Sequence, residues 1–380
     1  MATYKDASSA VKEYGLNLLL NSPGVHAVGV GTKSRVPIAV SKPNDFCVTA
    51  VVSERKAVER LERENIRPFA RVFGKEVKGT RFESVETNVI ESGGPFSLQF
   101  LRVPRIQRGI HGGRRPVVDV QKFFNSLRCG IGISNPSGLY PAILSVGTLG
   151  AFVRDTTEVL YLLSNNHVIG HSDAAKPGDS IVQTGTLDLT EIELTLMPTE
   201  SELVNALKIA ELTTMVPIQR LSPSNIPLNK VDAAIAKLVI GSRSLTDLAR
   251  LCYAGGILAL SRPIEADDRG VPTAPARVYK VGRTTGFTEG EIELVGVIDS
   301  LDYPGGKAYF QDQIQIRPTV DNGGPFSLPG DSGSIVLSDH HEAIGLLFAG
   351  SPRQTLVNPM QLVLDELSKK LGKPLELVTL

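Results

Sequence analysis

The chain has no tryptophan, only three cysteines and no net charge. Lys+Arg and Asp+Glu balance at 40 each, so no global basic field points to nucleic acid or to an anionic membrane surface. Cys47, Cys129 and Cys252 are odd in number and far apart. They fit buried free thiols in a reducing compartment better than a disulfide framework, and none sits in a metal-like cluster. No apolar run approaches membrane-spanning length, and the first six residues lack the basic-then-apolar layout of a signal peptide. The expectation is a cytoplasmic protein with neither nucleic acid nor membrane as partner.

What is present is glycine, proline and many short Val/Ile/Leu runs between them, the texture of a strand-rich protein with many turns. At 380 residues the chain has room for two or three domains. Residues 1–98 read as a small α/β domain: an amphipathic helix over Ser8 to Leu20 interrupted by Gly15, strands at Val25 to Gly31 and Phe46 to Val52, a charged helix from Glu54 to Glu64, and further strands at Ala70 to Phe73 and Thr87 to Ile90. The Gly29 to Ser34 stretch fails as a phosphate loop, because Thr32 separates Gly31 from Lys33. Residues 99–124 form an Arg-rich linker with Arg102, Arg105, Arg108, Arg114 and Arg115, either a solvated connector or a docking strip for an acidic partner. The hexapeptide Gly-Gly-Pro-Phe-Ser-Leu occurs at Gly93 to Leu98 and again at Gly323 to Leu328, with no evident reason.

From about residue 125 the texture is all-β, in two sets: residues 125–245 and residues 246–380. Each has enough strands for a small closed sheet, and closure removes exposed edges. Short helices are expected at Asn205 to Ile209 and Leu245 to Cys252. The stretch Asn358 to Lys370, with Asn before Pro and lysines at its far end, predicts a C-terminal helix packed across the second barrel.

The candidate reactive atom is the hydroxyl of Ser332, in Leu328-Pro329-Gly330-Asp331-Ser332-Gly333, a glycine-bracketed serine that runs into an apolar strand. A serine hydroxyl needs a base to take its proton and N–H donors for the oxyanion it creates. The tetrapeptide alone is equally an ordinary turn. Among six histidines, His26, His111, His340 and His341 read as surface or turn residues. His167 ends a buried strand in Leu163-Ser-Asn-Asn-His-Val, with His171 as a local competitor for the role of base. Asp232 opens the apolar segment Val231-Asp-Ala-Ala-Ile-Ala, where an acid needs a hydrogen-bonding partner such as an imidazole N–H, or is a turn cap.

Taken together, His167, Asp232 and Ser332 stand in the order and local frames of the chymotrypsin-like (trypsin-fold) serine peptidases, which residues 125–365 resemble. With the N-terminal α/β domain and Gly282-Arg-Thr-Thr-Gly286, the chain is similar to the intracellular trypsin-like proteases typified by the plant Narrow Leaf protein and its bacterial relatives. The resemblance implies a mainly β, double-barrel fold, with His167 and Asp232 in the first barrel and Ser332 in the second. It implies a cofactor-free serine endopeptidase acting on protein or peptide substrates, and a homo-oligomer. It places the oxyanion hole at the N–H groups of Gly330 and Ser332. Phe326 and Ser327 fall at the base of the specificity pocket, and Ala349, Gly350 and Ser351 along its wall and the substrate-pairing strand. With no acidic base, an apolar residue is expected before the scissile bond. Phe348 stands where many relatives carry a serine that hydrogen-bonds the aspartate, so Asp232 needs other donors. Secreted relatives often pair the aspartate of this loop with a newly cleaved N-terminus, whereas here over a hundred residues precede the barrels. Instead Lys280, in preference to Arg283, is expected to pair with Asp331 and order the loop. The rival reading is a non-catalytic protease-fold scaffold or binding module. A third keeps the activity but holds it silent until the N-terminal domain or oligomer contacts release it.

Overall fold

Short apolar runs with glycine at their ends become strands, and they assemble into two strand-rich bodies. The computed structural model describes residues 2–64, 66–99, 101–104, 119–239, 243–252, 254–265, 267, 272–319 and 324–380. The architecture is mainly β: two barrel-like bodies, a smaller α/β part before them and a helix near the C-terminus.

The second body is a ring. Gly286–Tyr303 pairs with Gly306–Pro318, which pairs with Thr355–Pro359, then Glu342–Gly350, Ile335–Ser338 and Val278–Gly282, and this last strand returns to Gly286–Tyr303. Closure satisfies every inner edge of the sheet. The long hairpin overshoots the ring, with register shifts along its length, and its far part accepts a further strand. Val25–Thr32 pairs there, Ala27 against Asp299 and Val30 against Val295, followed by Phe46–Val52 and Thr87–Glu91. The strands of residues 1–98 therefore continue the sheet of the second barrel. Helix Tyr4–Asn21, opened by a Thr3/Asp6 capping box, packs on this extension. A Cβ at Gly15 would sit 2.8 Å from Ile298 Cδ1, so the mid-helix glycine is what lets the helix approach the sheet.

In the first body Ser180–Val182, Lys208–Met215, Ala234–Leu238, Leu160–Ser164 and Ala151–Asp155 form one sheet, completed by Leu375–Leu377. A second sheet of Leu101–Pro104, Ile143–Thr148 and Gly132–Ile133 joins it through a Ser134–Val182 bridge. Helix Met360–Leu371 ends at Gly372, which adopts the left-handed conformation (φ 76°), and the chain then crosses back to the first body. Met360, Val363, Leu364 and Leu367 belong to the core that also contains Phe152, Ile209 and Leu346, so the helix bridges both barrels rather than covering the second alone.

Other local expectations need correction. Ala70 to Phe73 is not a strand but lies in helix Phe69–Glu76, because Phe69, Val72 and Phe73 bury one helical face after Pro68. The helix expected at Asn205 to Ile209 lies earlier, at Glu200–Leu207, started by a Thr199/Glu202 capping box. Leu245 to Cys252 contains turns and two isolated bridges, at Leu251 and Arg250. Arg105, Arg108, His111, Arg114 and Arg115 lie outside the described residues. Among the described residues no helix is long and apolar enough to cross a membrane, and Cys47, Cys129 and Cys252 are buried and form no disulfide there.

Candidate active site

Strand Leu160–Ser164 is buried nearly throughout and delivers Asn165 to the cap of a one-turn helix, Asn166–Ile169. Two asparagines pin this turn. Asn165 Nδ2 donates to the Asp232 carbonyl at 2.7 Å, and Asn166 Nδ2 to the Val216 carbonyl at 2.8 Å. The turn therefore arrives against the Asp232 segment with His167 facing inward, 1% exposed.

His167 Nδ1 lies 2.5 Å from Asp232 Oδ2, and His167 Nε2 lies 2.8 Å from Ser332 Oγ. His171, the competing base, is not the partner of Ser332. Asp232 is completely buried, which raises its pKa. The His167 charge and hydrogen bond and the Tyr303 hydroxyl outweigh that and hold the carboxyl below its ordinary range. The remaining donors come from two places: the His167 backbone N–H reaches Oδ1 at 3.1 Å, and the Tyr303 hydroxyl reaches Oδ2 at 2.5 Å. Burial, then the Asp232 carboxylate, push the Tyr303 phenol well above its usual range, so it stays protonated as a donor. Phe348 is spent on packing. Its ring lies 5.1 Å from Phe310, which stacks on Tyr303 at 5.8 Å. Asp232 N–H donates to Asn358 Oδ1 at 3.0 Å, which fixes the backbone beneath the carboxylate.

The serine loop is built on two glycines that no other residue could replace. Gly330 has φ 104° and a Cβ there would meet Thr284 Oγ1 at 2.2 Å; Gly333 has φ 92° and would meet the Thr148 carbonyl at 2.2 Å. Asp331, between them, is buried and heavily bonded. It accepts the N–H groups of Thr284, Thr285 and Leu328 and the Thr285 hydroxyl, at 2.8 to 3.1 Å. Lys280 Nζ stands 3.6 Å from Asp331 Oδ2, with both side chains fully buried. Arg283 turns away to Asp188, its Nε 2.8 Å from Oδ1.

The N–H groups of Gly330 and Ser332 converge on one acceptor, the backbone carbonyl of Gln99, at 2.7 and 2.8 Å. Gln99 N–H donates to the Phe348 carbonyl at 3.2 Å. Upstream, Leu98 pairs with Ala349 and Ser97 with Gly350. Ser351 Oγ donates to the Ser92 carbonyl at 3.0 Å. Ser327 Oγ lies 2.7 Å from Thr355 Oγ1. Phe326 is 1% exposed and packs in the core of the second barrel, with Lys280 Nζ 5.8 Å from its ring centroid.

A buried carboxylate, an imidazole bonded at both ring nitrogens, a serine hydroxyl and two convergent N–H donors are a set that can support acyl transfer. Tyr303, Asn358 and Gln99 escaped the sequence reading. Nothing around Leu301-Asp-Tyr-Pro-Gly distinguishes a buried donor from a hairpin turn. For Gln99 the one signal was the repeated hexapeptide before it.

A scan against protein-family models and a comparison with curated proteins found no match. Among solved structures, the chain is similar to Protease A of Thermobifida fusca (14% identity, 67% of this chain, 99% of that one, TM-score 0.39). It is also similar to a chymotrypsin of Cellulomonas bogoriensis (15% identity, 67% and 100%, TM-score 0.38) and to a Nocardiopsis protease (16%, 67% and 100%, TM-score 0.38).

Proposed function

We propose that this chain is a serine endopeptidase of the chymotrypsin-like type, acting through an acyl-enzyme. The observation that carries the reading is the continuous path Asp232 Oδ2, His167 Nδ1, His167 Nε2, Ser332 Oγ, with spacings of 2.5 and 2.8 Å. Ser332 Oγ attacks a peptide carbonyl while His167 Nε2 takes its proton. Asp232 holds the imidazole in the tautomer that presents Nε2 as acceptor, and stabilises the cation that follows. The Gly330 and Ser332 N–H groups receive the oxyanion, an interaction whose loss typically raises the barrier by about 3–4 kcal/mol. His167 then returns the proton to the leaving amine, and water releases the acyl group by the same route. The motif resemblance to the intracellular Narrow Leaf-type proteases supports a homo-oligomer regulated by its N-terminal part. The continuity of the N-terminal strands with the second barrel's sheet supplies a route for such coupling.

The test is a fluorophosphonate probe with mass mapping of the adduct. Because the Gln99 carbonyl occupies the oxyanion donors, the probe is applied to the wild type and to Gln99→Pro. Labelling at Ser332, abolished in Ser332→Ala together with roughly a millionfold loss of turnover, supports the reading. Failure of every form to label refutes it.

A further inference from the structure

We propose that residues 97–104 are a built-in substrate, and that the chain cleaves its own bond between Gln99 and Phe100. The proposal rests on the serine endopeptidase reading above and assigns it a first substrate and a residue preference.

An extended peptide productive in such a site must meet four conditions at once. Its carbonyl must lie on the oxyanion donors, and that of Gln99 accepts from both Gly330 and Ser332. The N–H of the same residue must be held, and Gln99 N–H bonds the Phe348 carbonyl. The residues before it must pair antiparallel with the strand beyond Phe348, as Leu98 and Ser97 do with Ala349 and Gly350. The residues after it must pair with the other barrel. Leu101 to Pro104 runs antiparallel to Ile143–Thr148, Leu101 opposite Val146 and Arg102 opposite Ser145. Thr148 of that same strand donates its N–H to the Ser332 carbonyl at 2.8 Å, so the strand flanks the nucleophile directly. The chain thus pairs with one barrel up to Gln99 and with the other from Leu101, and the Gln99 carbonyl is held by the Ser332 N–H.

The Gln99 side chain, 4% exposed, lies beside Gly350 and Ser327. A Cβ on Gly350 would stand 3.0 Å from Gln99 Nε2 and 2.9 Å from Ser327 Oγ, so the glycine makes the space. Gln99 Nε2 donates to its own segment, to the Ser97 carbonyl at 3.3 Å, while the buried Oε1 has no partner among the described residues. Among the described residues no charged side chain bonds the amide, and a lysine or glutamate in its place would carry an unpaired charge into a buried position. The preference before the scissile bond is therefore a neutral glutamine, which replaces the expectation of an apolar residue. The two hexapeptide copies also acquire a relation: one leads the chain into the cleft, and the other supplies Ser327 on its wall.

The step balances with water as the only co-reactant. Ser332 Oγ bonds the Gln99 carbonyl carbon and its proton passes to His167 Nε2. The bond to the Phe100 nitrogen breaks, and that nitrogen leaves as an amine carrying the His167 proton. Water then attacks the Gln99–Ser332 ester, leaving a Gln99 carboxylate, a free N-terminus at Phe100 and a restored hydroxyl.

The experiment follows the intact mass of purified full-length chain over time. Expected are two fragments, one ending at Gln99 and one beginning at Phe100, formed by wild type but not by Ser332→Ala, with a first-order rate constant independent of protein concentration. Gln99→Pro, which lacks the N–H held by Phe348, stays uncut at this bond but labels with the fluorophosphonate and cuts the octapeptide Pro-Phe-Ser-Leu-Gln-Phe-Leu-Arg after glutamine. A lysine at that position slows peptide cleavage by at least about tenfold. A wild type that stays intact while either form labels at Ser332 overturns self-cleavage and leaves the protease reading standing, and so does an apparent first-order rate constant that rises in proportion to protein concentration. If no form labels, the protease reading itself falls.

Discussion

Replacing Lys280 by methionine removes one charge from a pair wholly withdrawn from solvent while keeping most of the side-chain volume. Lys280 Nζ stands 3.6 Å from Asp331 Oδ2, and both side chains are 0% exposed. At an effective dielectric of about 20, unit charges at that separation attract by about 5 kcal/mol. Desolvation opposes this. Burial pulls the Lys280 pKa below its ordinary range, and Asp331 restores only part of the loss. The intact pair therefore yields no net gain over the two solvated ions, whereas removing the lysine strands a buried carboxylate, which typically costs about 3–5 kcal/mol. Asp331 keeps its three backbone N–H donors and the Thr285 hydroxyl, so the expected loss lies at the lower end, about 3 kcal/mol. The assay is urea unfolding in a Ser332→Ala background, which prevents proteolysis. A lysine with a depressed folded-state pKa binds fewer protons folded than unfolded. Wild type should thus gain stability as pH rises from the folded pKa toward the unfolded value near 10.4, a slope absent from Lys280→Met. In the active background the rate of fluorophosphonate labelling should fall at least about tenfold, because the same loop aims both oxyanion donors. An unfolding free energy within about 0.5 kcal/mol of the parent would show that Asp331 needs no counter-charge, and would refute this account.

Tyr303→Phe deletes a hydrogen bond to the Asp232 carboxylate and should lower stability by about 1.5–3 kcal/mol. A carboxylate with a depressed folded pKa stabilises the fold above its unfolded pKa, and that contribution disappears as pH falls through the folded value. Without Tyr303 the folded pKa of Asp232 rises toward its unfolded value, so the loss of stability in acid that Asp232 causes should be smaller and should finish at higher pH. Peptide hydrolysis should show a reduced kcat with KM little changed. Asp299 is buried with both carboxylate oxygens unpartnered among the described residues, and burial raises its pKa well above normal. Here the sign reverses: between the unfolded pKa near 3.9 and the folded value the unfolded state binds fewer protons, so stability falls by about 1.4 kcal/mol per pH unit. Asp299→Asn should remove that slope, measured as the difference between wild-type and variant urea midpoints at several pH values. Parallel curves would refute the assignment of an uncharged Asp299.

Local features of this chain carried a great deal of information. Gly330 and Gly333 bracket Ser332 because each φ and each close contact excludes a side chain, and such constraints are visible as glycines in any reading of the sequence. His167 at the end of a buried strand and Asp232 at the start of another were legible as candidates for the same reason: a polar residue in an apolar frame requires a partner. The helix at Phe69–Glu76 was misread because Ala-Arg-Val-Phe alternates well enough for a strand. Only the burial of Phe69 together with Val72 and Phe73 separates the two.

What the sequence by itself determined is the class of fold, two strand-rich bodies punctuated by glycine, and the residue types available for acyl transfer. Which atoms meet was decided by tertiary structure alone. Tyr303 comes to Asp232 because a long hairpin overshoots its barrel, Lys280 comes to Asp331 across a strand pair, and Gln99 comes to Gly330 and Ser332 from more than two hundred residues away. No local propensity encodes such meetings. They depend on how closed sheets place distant backbone groups, and the Gln99 carbonyl in particular is a main-chain atom that every residue possesses.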